Sequence, residues 1–321
     1  MTSPTDVPPI PPTEKRPRTP RPRPNRTRTW LVAAGALAVF VSVLVYVNSR
    51  TPPYPSYHEC NVLCAALEGA KSAEQLQALF AADAPMPTLL PANSPLRANS
   101  AGLAAAVWQM KRDLRYTSLG GRDQRTPDER LLFRVHSATE VLDYHELRLA
   151  RRDGKLEVVD LRSSVCDAWA SDLVKEEQRL DRSLPAGTLA AIANASAAAD
   201  PAKLEAILRN VPAPASPLVD LFVLNAHRNA DVAAFRAAVS AFRTAHPDSG
   251  SADLFVLVRA QIDMRAAAAA AAAANGKGAT ATPQRRFDEA LRRDAIRALD
   301  QIEKRIDDDK MWTELRRRFE S

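Results

Sequence analysis

Glycine is scarce in this chain, with ten among 321 residues. Phosphate-cradling loops need glycine where backbone must approach the ligand, so little material is left for them. No Walker loop, glycine-rich dinucleotide turn, His-Glu-x-x-His pair or Gly-x-Ser-x-Gly elbow occurs. Cysteine is limited to Cys60, Cys64 and Cys166, and a closed metal site wants more ligands at local spacing. Net charge is missing from most of the chain. Residues 1–50 hold eight of the 44 basic and two of the 38 acidic residues, which leaves 36 of each in 51–321. Nucleic acid is therefore excluded as a partner of the large region, because that binding is driven by clustered positive charge. No catalytic, cofactor-binding or metal-ligating set is legible, and the expectation is a protein that is not an enzyme.

The charge that is present sits at the N-terminus. Residues 1–29 carry seven basic residues against Asp6 and Glu14, and nine of the 24 prolines. Such a segment cannot bury enough apolar surface to offset chain entropy and is expected to be disordered. Residues 30–47 follow without a single charge. As a helix they would reach about 27 Å, near the bilayer's apolar thickness of about 30 Å. Trp30 and Tyr46 stand near the two ends, where amphipathic rings favour the headgroup layer. A single transmembrane helix is expected, followed by a spacer at 48–56. The basic flank would keep the tail cytoplasmic, in contact with anionic lipid, and place the rest of the chain across the cell membrane.

Residues 57–165 read as α+β. Ser72-Ala73-Glu74-Gln75 has the form of a capping box before an amphipathic helix at about 72–82, and a second helix is expected over 98–113. Leu131, Phe133 and Val135 alternate with Leu132, Arg134 and His136, which predicts a strand over 130–137. Residues 144–150 and 155–162 read as two more strands. Asp153-Gly154 joins them, and Asp-Gly is a strong hairpin signal because a type I′ turn needs positive φ. The stretch from Leu147 to Arg162 resembles the closing hairpin of the NTF2-like (SnoaL-like) superfamily, in which helices precede a curved antiparallel sheet. That resemblance implies either a pocket-bearing enzyme or ligand binder, or a non-catalytic accessory module.

From Cys166 onward the pattern is helical, with segments at 166–182, 185–199, 201–210, 217–228, 231–246, 251–275, 284–306 and 309–320. Pro185, Pro201, Pro217 and Pro283 stand near helix starts, where a missing N–H is tolerated. Asp220-Leu221-Phe222-Val223-Leu224 recurs as Asp253-Leu254-Phe255-Val256-Leu257, an offset of 33 residues. This period and the helical pairs around it resemble a tetratricopeptide (TPR-like) array over 166–321. Residues 266–282, rich in alanine and then glycine, read as an insertion.

Several residues stand as candidates. Cys60, Cys64 and Cys166 are candidates for one disulfide, with the pairing open. His58-Glu59-Cys60-x-x-x-Cys64 is a weak metal pattern. His136 with Glu146 would serve as an acid–base pair in a cone-shaped pocket, while His145 shares a strand face with Leu147 and Leu149 as a core histidine would. Asn225 and Arg259, beside the repeated segments, would line a partner groove. The function expected is a membrane-anchored, non-catalytic scaffold or accessory protein that binds a protein partner; the alternative is an enzyme or small-ligand binder using the α+β region.

Overall fold

The computed structural model describes residues 55–91, 94–96, 101–122, 130–138, 140–211, 216–275, 288–306 and 309–320. Residues 54–321 form one compact unit. The boundary expected at 165/166 falls inside it.

An antiparallel sheet lies between two helical layers. Its strands are β1 (Arg115–Arg122), β2 (Arg130–His136), β3 (Val141–Arg152), β4 (Lys155–Ser163) and β5 (Ala168–Trp169), paired in sequence order. The β3–β4 hairpin closes through Asp153 and Gly154, at φ 50° and 78°. Both are positive, as a type I′ turn demands. Alternation along the strands separates two faces. The inner face, with Leu131, Phe133, Val135, Leu147 and Leu161, packs on α1 (Tyr57–Gly69), α2 (Ala73–Gln77) and α3 (Leu103–Asp113). The outer face contributes Leu132 and Tyr144 to a second core, built mainly by helices that follow the sheet.

Those helices are α4 (Ala170–Ser183), α5 (Thr188–Ala197), α6 (Pro201–Arg209), α7 (Pro217–Ala226), α8 (Val232–Ala245), α9 (Ser251–Asn275), α10 (Glu289–Arg305) and α11 (Met311–Glu320). Their starts follow from local chemistry. Asp200 caps α6 by accepting from Lys203 N at 2.9 Å, Asp231 caps α8 through Ala234 N at 2.8 Å, and Pro201 and Pro217 open α6 and α7. The repeated segments both lie inward: Phe222, Leu224, Phe255 and Leu257 are buried, as are Phe235 and Phe242 between them.

Polar ties lock the sheet to the helices. The Gln261 amide on α9 accepts from Val141 N and donates to Val141 O, both at 2.9 Å, so it stands in for a neighbouring strand. Asp309 accepts from Tyr144 Oη at 2.9 Å and pairs with Arg134. Glu177 on α4 accepts from Thr88 N and Leu89 N at 2.9 and 2.7 Å, fixing the Pro-rich loop.

Several expectations are corrected. The α+β class stands, but its transmembrane helix does not: among the described residues no helix is long and apolar enough to cross a membrane. The longest, α9, has length enough but carries Asp253, Arg259, Asp263 and Arg265 and then nine alanines. Residues 30–47, on which the expectation rested, lie outside the described residues, as does the tail at 1–29. A membrane-anchored, single-pass chain has no support among the described residues. The helix expected over 72–82 ends early, because Ala81 N donates to Val158 O and Val158 N to Leu79 O, both at 2.9 Å, drawing the chain onto β4. Strand β1 escaped the sequence pattern.

Candidate functional site

The outer sheet face is organised in rungs by its register. Arg134 and Tyr144 form one rung, Leu132, Glu146, Arg162 and Trp169 the next, and Arg130, Arg148 and Asp160 the third. The start of α11 covers the first rung: the Trp312 ring lies 5.3 Å from Tyr144. Burial, and then the Asp309 charge, hold the Tyr144 phenol well above its ordinary pKa. The other two rungs are only partly covered. The Arg148 side chain is 45% exposed and that of Arg130 33%. Their guanidinium carbons stand 4.1 and 5.2 Å from the centre of the half-buried Trp169 indole.

Carboxylates hold this arrangement from beneath. Asp160 accepts from Ser171 Oγ at 2.6 Å and lies 3.5 Å from Arg148. Glu146 lies 3.4 Å from Arg130 and 3.6 Å from Arg162. Asp167 pairs with Arg162 and takes the Gly250 amide at 2.8 Å. The guanidiniums are thus held by buried or half-buried acids, and the side chains stay partly exposed. The middle rung opens into a cleft of about 560 Å³ against the end of α10, where Lys304 and Arg305 form an exposed basic rim. A side chain at position 250 would run into the Arg305 guanidinium, so the glycine permits that closeness. This surface offers charge, an aromatic ring and a recess, which is the chemistry of binding.

The inner face has a different polar cluster. Asp143 is fully buried and accepts from Tyr144 N at 2.8 Å, Val165 N at 2.9 Å and Ser163 Oγ at 2.5 Å, with His145 Nε2 at 3.1 Å. The carboxylate's capacity is filled by these four partners. They join β3, β4 and the chain entering α4. Tyr116 stacks on Phe133 at 4.4 Å and meets His145 edge-on at 5.6 Å.

The residues singled out from sequence fall as follows. His136 and Glu146 are not brought together: the register pairs His136 with Val141 and Glu146 with Leu132, four residues apart on β2. His136 instead bonds Thr117 Oγ1 at 3.0 Å, and burial lowers its pKa. His145 is a core histidine. Cys60, Cys64 and Cys166 are buried thiols with no disulfide, the first two in the inner core and the third in the outer. Burial pushes the Cys64 and Cys166 thiols up. His58 is exposed while Cys60 and Cys64 point into the core, so the metal pattern does not converge; among the described residues no group of three or more His, Cys, Asp or Glu could hold a metal.

Asn225 and Arg259 do not line a groove. Asn225 is 0% exposed and donates to Ser196 O and Oγ at 3.1 and 2.8 Å, tying α7 to α5. Arg259 pairs with Asp263 at 2.9 Å, donates to Ala230 O at 3.0 Å and covers the Phe235 ring at 5.4 Å. Arg259 thus satisfies a carbonyl of the turn between α7 and α8, and Asn225 fastens the last turn of α5. The Arg130–Trp169–Arg148 cluster was missed, since it joins three strands and only the register reveals it.

What the fold and this surface define is an α+β unit with one sheet shared by two cores and a partly open outer face. The chain matches no family model, no curated protein and no solved structure.

Proposed function

We propose that this is a non-catalytic scaffold or accessory protein that docks a protein partner on the two open rungs of its outer sheet face. The Arg148 and Arg130 guanidiniums gathered at the Trp169 indole support this reading. Aromatic and arginine side chains held rigid at a surface are the residue types that dominate binding energy at protein interfaces. The neighbouring acids Asp160, Glu146 and Asp167 are engaged in holding the arginines. The test places a photo-crosslinking residue at Lys304, exposed on the rim of the adjoining cleft, in the full-length chain, with Lys203, exposed on α6, as a remote control. A defined crosslinked protein at 304, weakened by Trp169→Ala, is expected. Equal crosslinking at 304 and 203 would overturn the proposal.

One observation favours a second reading, in which the inner face takes a small polar ligand. His145 Nδ1 and Tyr116 Oη are buried without hydrogen-bond partners, and their rings touch. A ligand or substrate bridging them would complete both. Thermal-shift screening with small polar compounds checks this: stabilisation of the wild type that disappears in Tyr116→Phe supports it, and none in either sinks it.

A further inference from the structure

A second surface, independent of the sheet, lies in the groove between α8 and α10. Its volume is about 500 Å³, within the range of ligand-binding clefts. Val239 and Val256 lie buried at its base, and Arg236, Arg243 and Arg297 stand around it against a single lining carboxylate, Asp294. Ser240 and Thr244 add hydroxyls. The groove therefore carries an excess of positive charge in a region whose charges otherwise balance.

The arginines are held and still open. Arg236 gives Nε to Asp294 at 2.6 Å, Arg243 gives one Nη to the buried Asp253 at 2.6 Å, and an Arg297 Nη stands 3.6 Å from Asp294 as an ion pair. Each guanidinium has five donors, so most remain for a ligand. Anchoring by aspartate reduces the side-chain entropy that binding must otherwise remove. Arg236 and Arg243 are seven residues apart, two helical turns and about 10.5 Å along the axis. A compact anion would satisfy one guanidinium and leave the other, two turns away, unmet, whereas successive acidic residues of a peptide reach successive arginines.

We propose that this groove binds an acidic, glutamate-rich peptide segment of a partner protein. The recognition is carboxylate to guanidinium, the pairing in which arginine forms two parallel hydrogen bonds.

Fluorescence anisotropy of the full-length chain with a labelled glutamate-rich peptide tests the proposal. Inorganic phosphate, a short DNA duplex and a lysine-rich peptide serve as competitors. Ala237 lines the groove, is exposed and makes no polar contact through its side chain. Ala237→Glu therefore places a competing carboxylate in the groove without removing a bond, and glutamate suits a helix. Arg297, 71% exposed, is changed to Gln as a second variant. Each variant is expected to weaken peptide binding about tenfold, the equivalent of one charge-assisted contact, while the melting temperature holds. Binding should weaken with added salt, and the lysine-rich peptide should not compete. Unchanged affinity in both variants overturns the proposal. So does stronger competition by phosphate or DNA than by unlabelled peptide, which would mark a general anion site. Loss of binding in Arg148→Gln but not in Ala237→Glu would move the peptide to the sheet face and equally overturn it.

Discussion

The two faces of one sheet treat polar residues in opposite ways. On the inner face Asp143, His145 and Ser163 are enclosed and bonded to one another, and the charge is spent on joining strands. On the outer face Arg130 and Arg148 are aimed by acids but remain half open beside Trp169. The difference lies in coverage. Three helices close over the inner face, whereas α11 reaches only the first outer rung. A buried polar group must find all its partners inside the fold, while a half-exposed one keeps donors for something else. The same residue types therefore act as structure on one side and as a binding surface on the other.

Asp143→Ala should break that comparison most severely. It leaves His145, Ser163 and two backbone N–H groups without their acceptor, and removing one member of a buried charged cluster costs about 3–5 kcal/mol. Urea unfolding measures this; a loss below about 1 kcal/mol would show that the cluster is not the latch described.

Gln261→Ala tests the tie between the sheet and α9. It strands the N–H and C=O of Val141, and a cost of about 1–3 kcal/mol is expected. Asn225→Ala, which unhooks α7 from Ser196, belongs in the same range. Thermal melts of both variants check whether these side chains are structural.

Arg148→Gln should behave differently from all of these. Exposed ion pairs contribute at most about 1 kcal/mol, so its melting temperature should stay near the wild type while crosslinking to a partner falls. A variant that unfolds would assign the outer face to structure as well.

The smallest effect is expected at the rim of the inner layer. Glu59 accepts from Ser56 N at 2.8 Å and from Arg151 at 2.6 Å; these bonds, with that from Ser56 Oγ, lower its pKa from 4.5 to about 2. Between those values the unfolded chain binds more protons than the folded one. The stabilisation is therefore complete above about 4.5 and drains away as pH falls toward about 2. Glu59→Gln should flatten this acid limb of stability, measured by melting temperature across that window.

Much of the fold was legible because it rests on short-range rules. The β3–β4 hairpin followed from alternation and Asp153-Gly154. The helices after Cys166 followed from apolar period and prolines near first turns, and their cores followed from the repeated Asp-Leu-Phe-Val-Leu segments. Strand β1 was not legible: Tyr116 and Ser118 alternate too briefly before Gly120 and Gly121 interrupt the pattern. The candidate groove failed for a related reason. Asn225 is polar, and periodicity alone assigns polar residues to solvent; only the approach of Ser196 from α5 makes its burial favourable.

By itself, the sequence determined where most helices and the central strands form, where the hairpin turns, which side chains are apolar enough to be buried, and that residues 51–321 carry no net charge. Those properties depend on neighbours within a few residues or on composition. Tertiary structure alone decided that one sheet serves two cores, that Asp143 and Asp309 are latches, that three cysteines stay apart, and that Arg130, Trp169 and Arg148 meet. Each of these depends on strand register or on helices that are distant in sequence and close in space, and register is set by the packing of whole faces rather than by any local pattern.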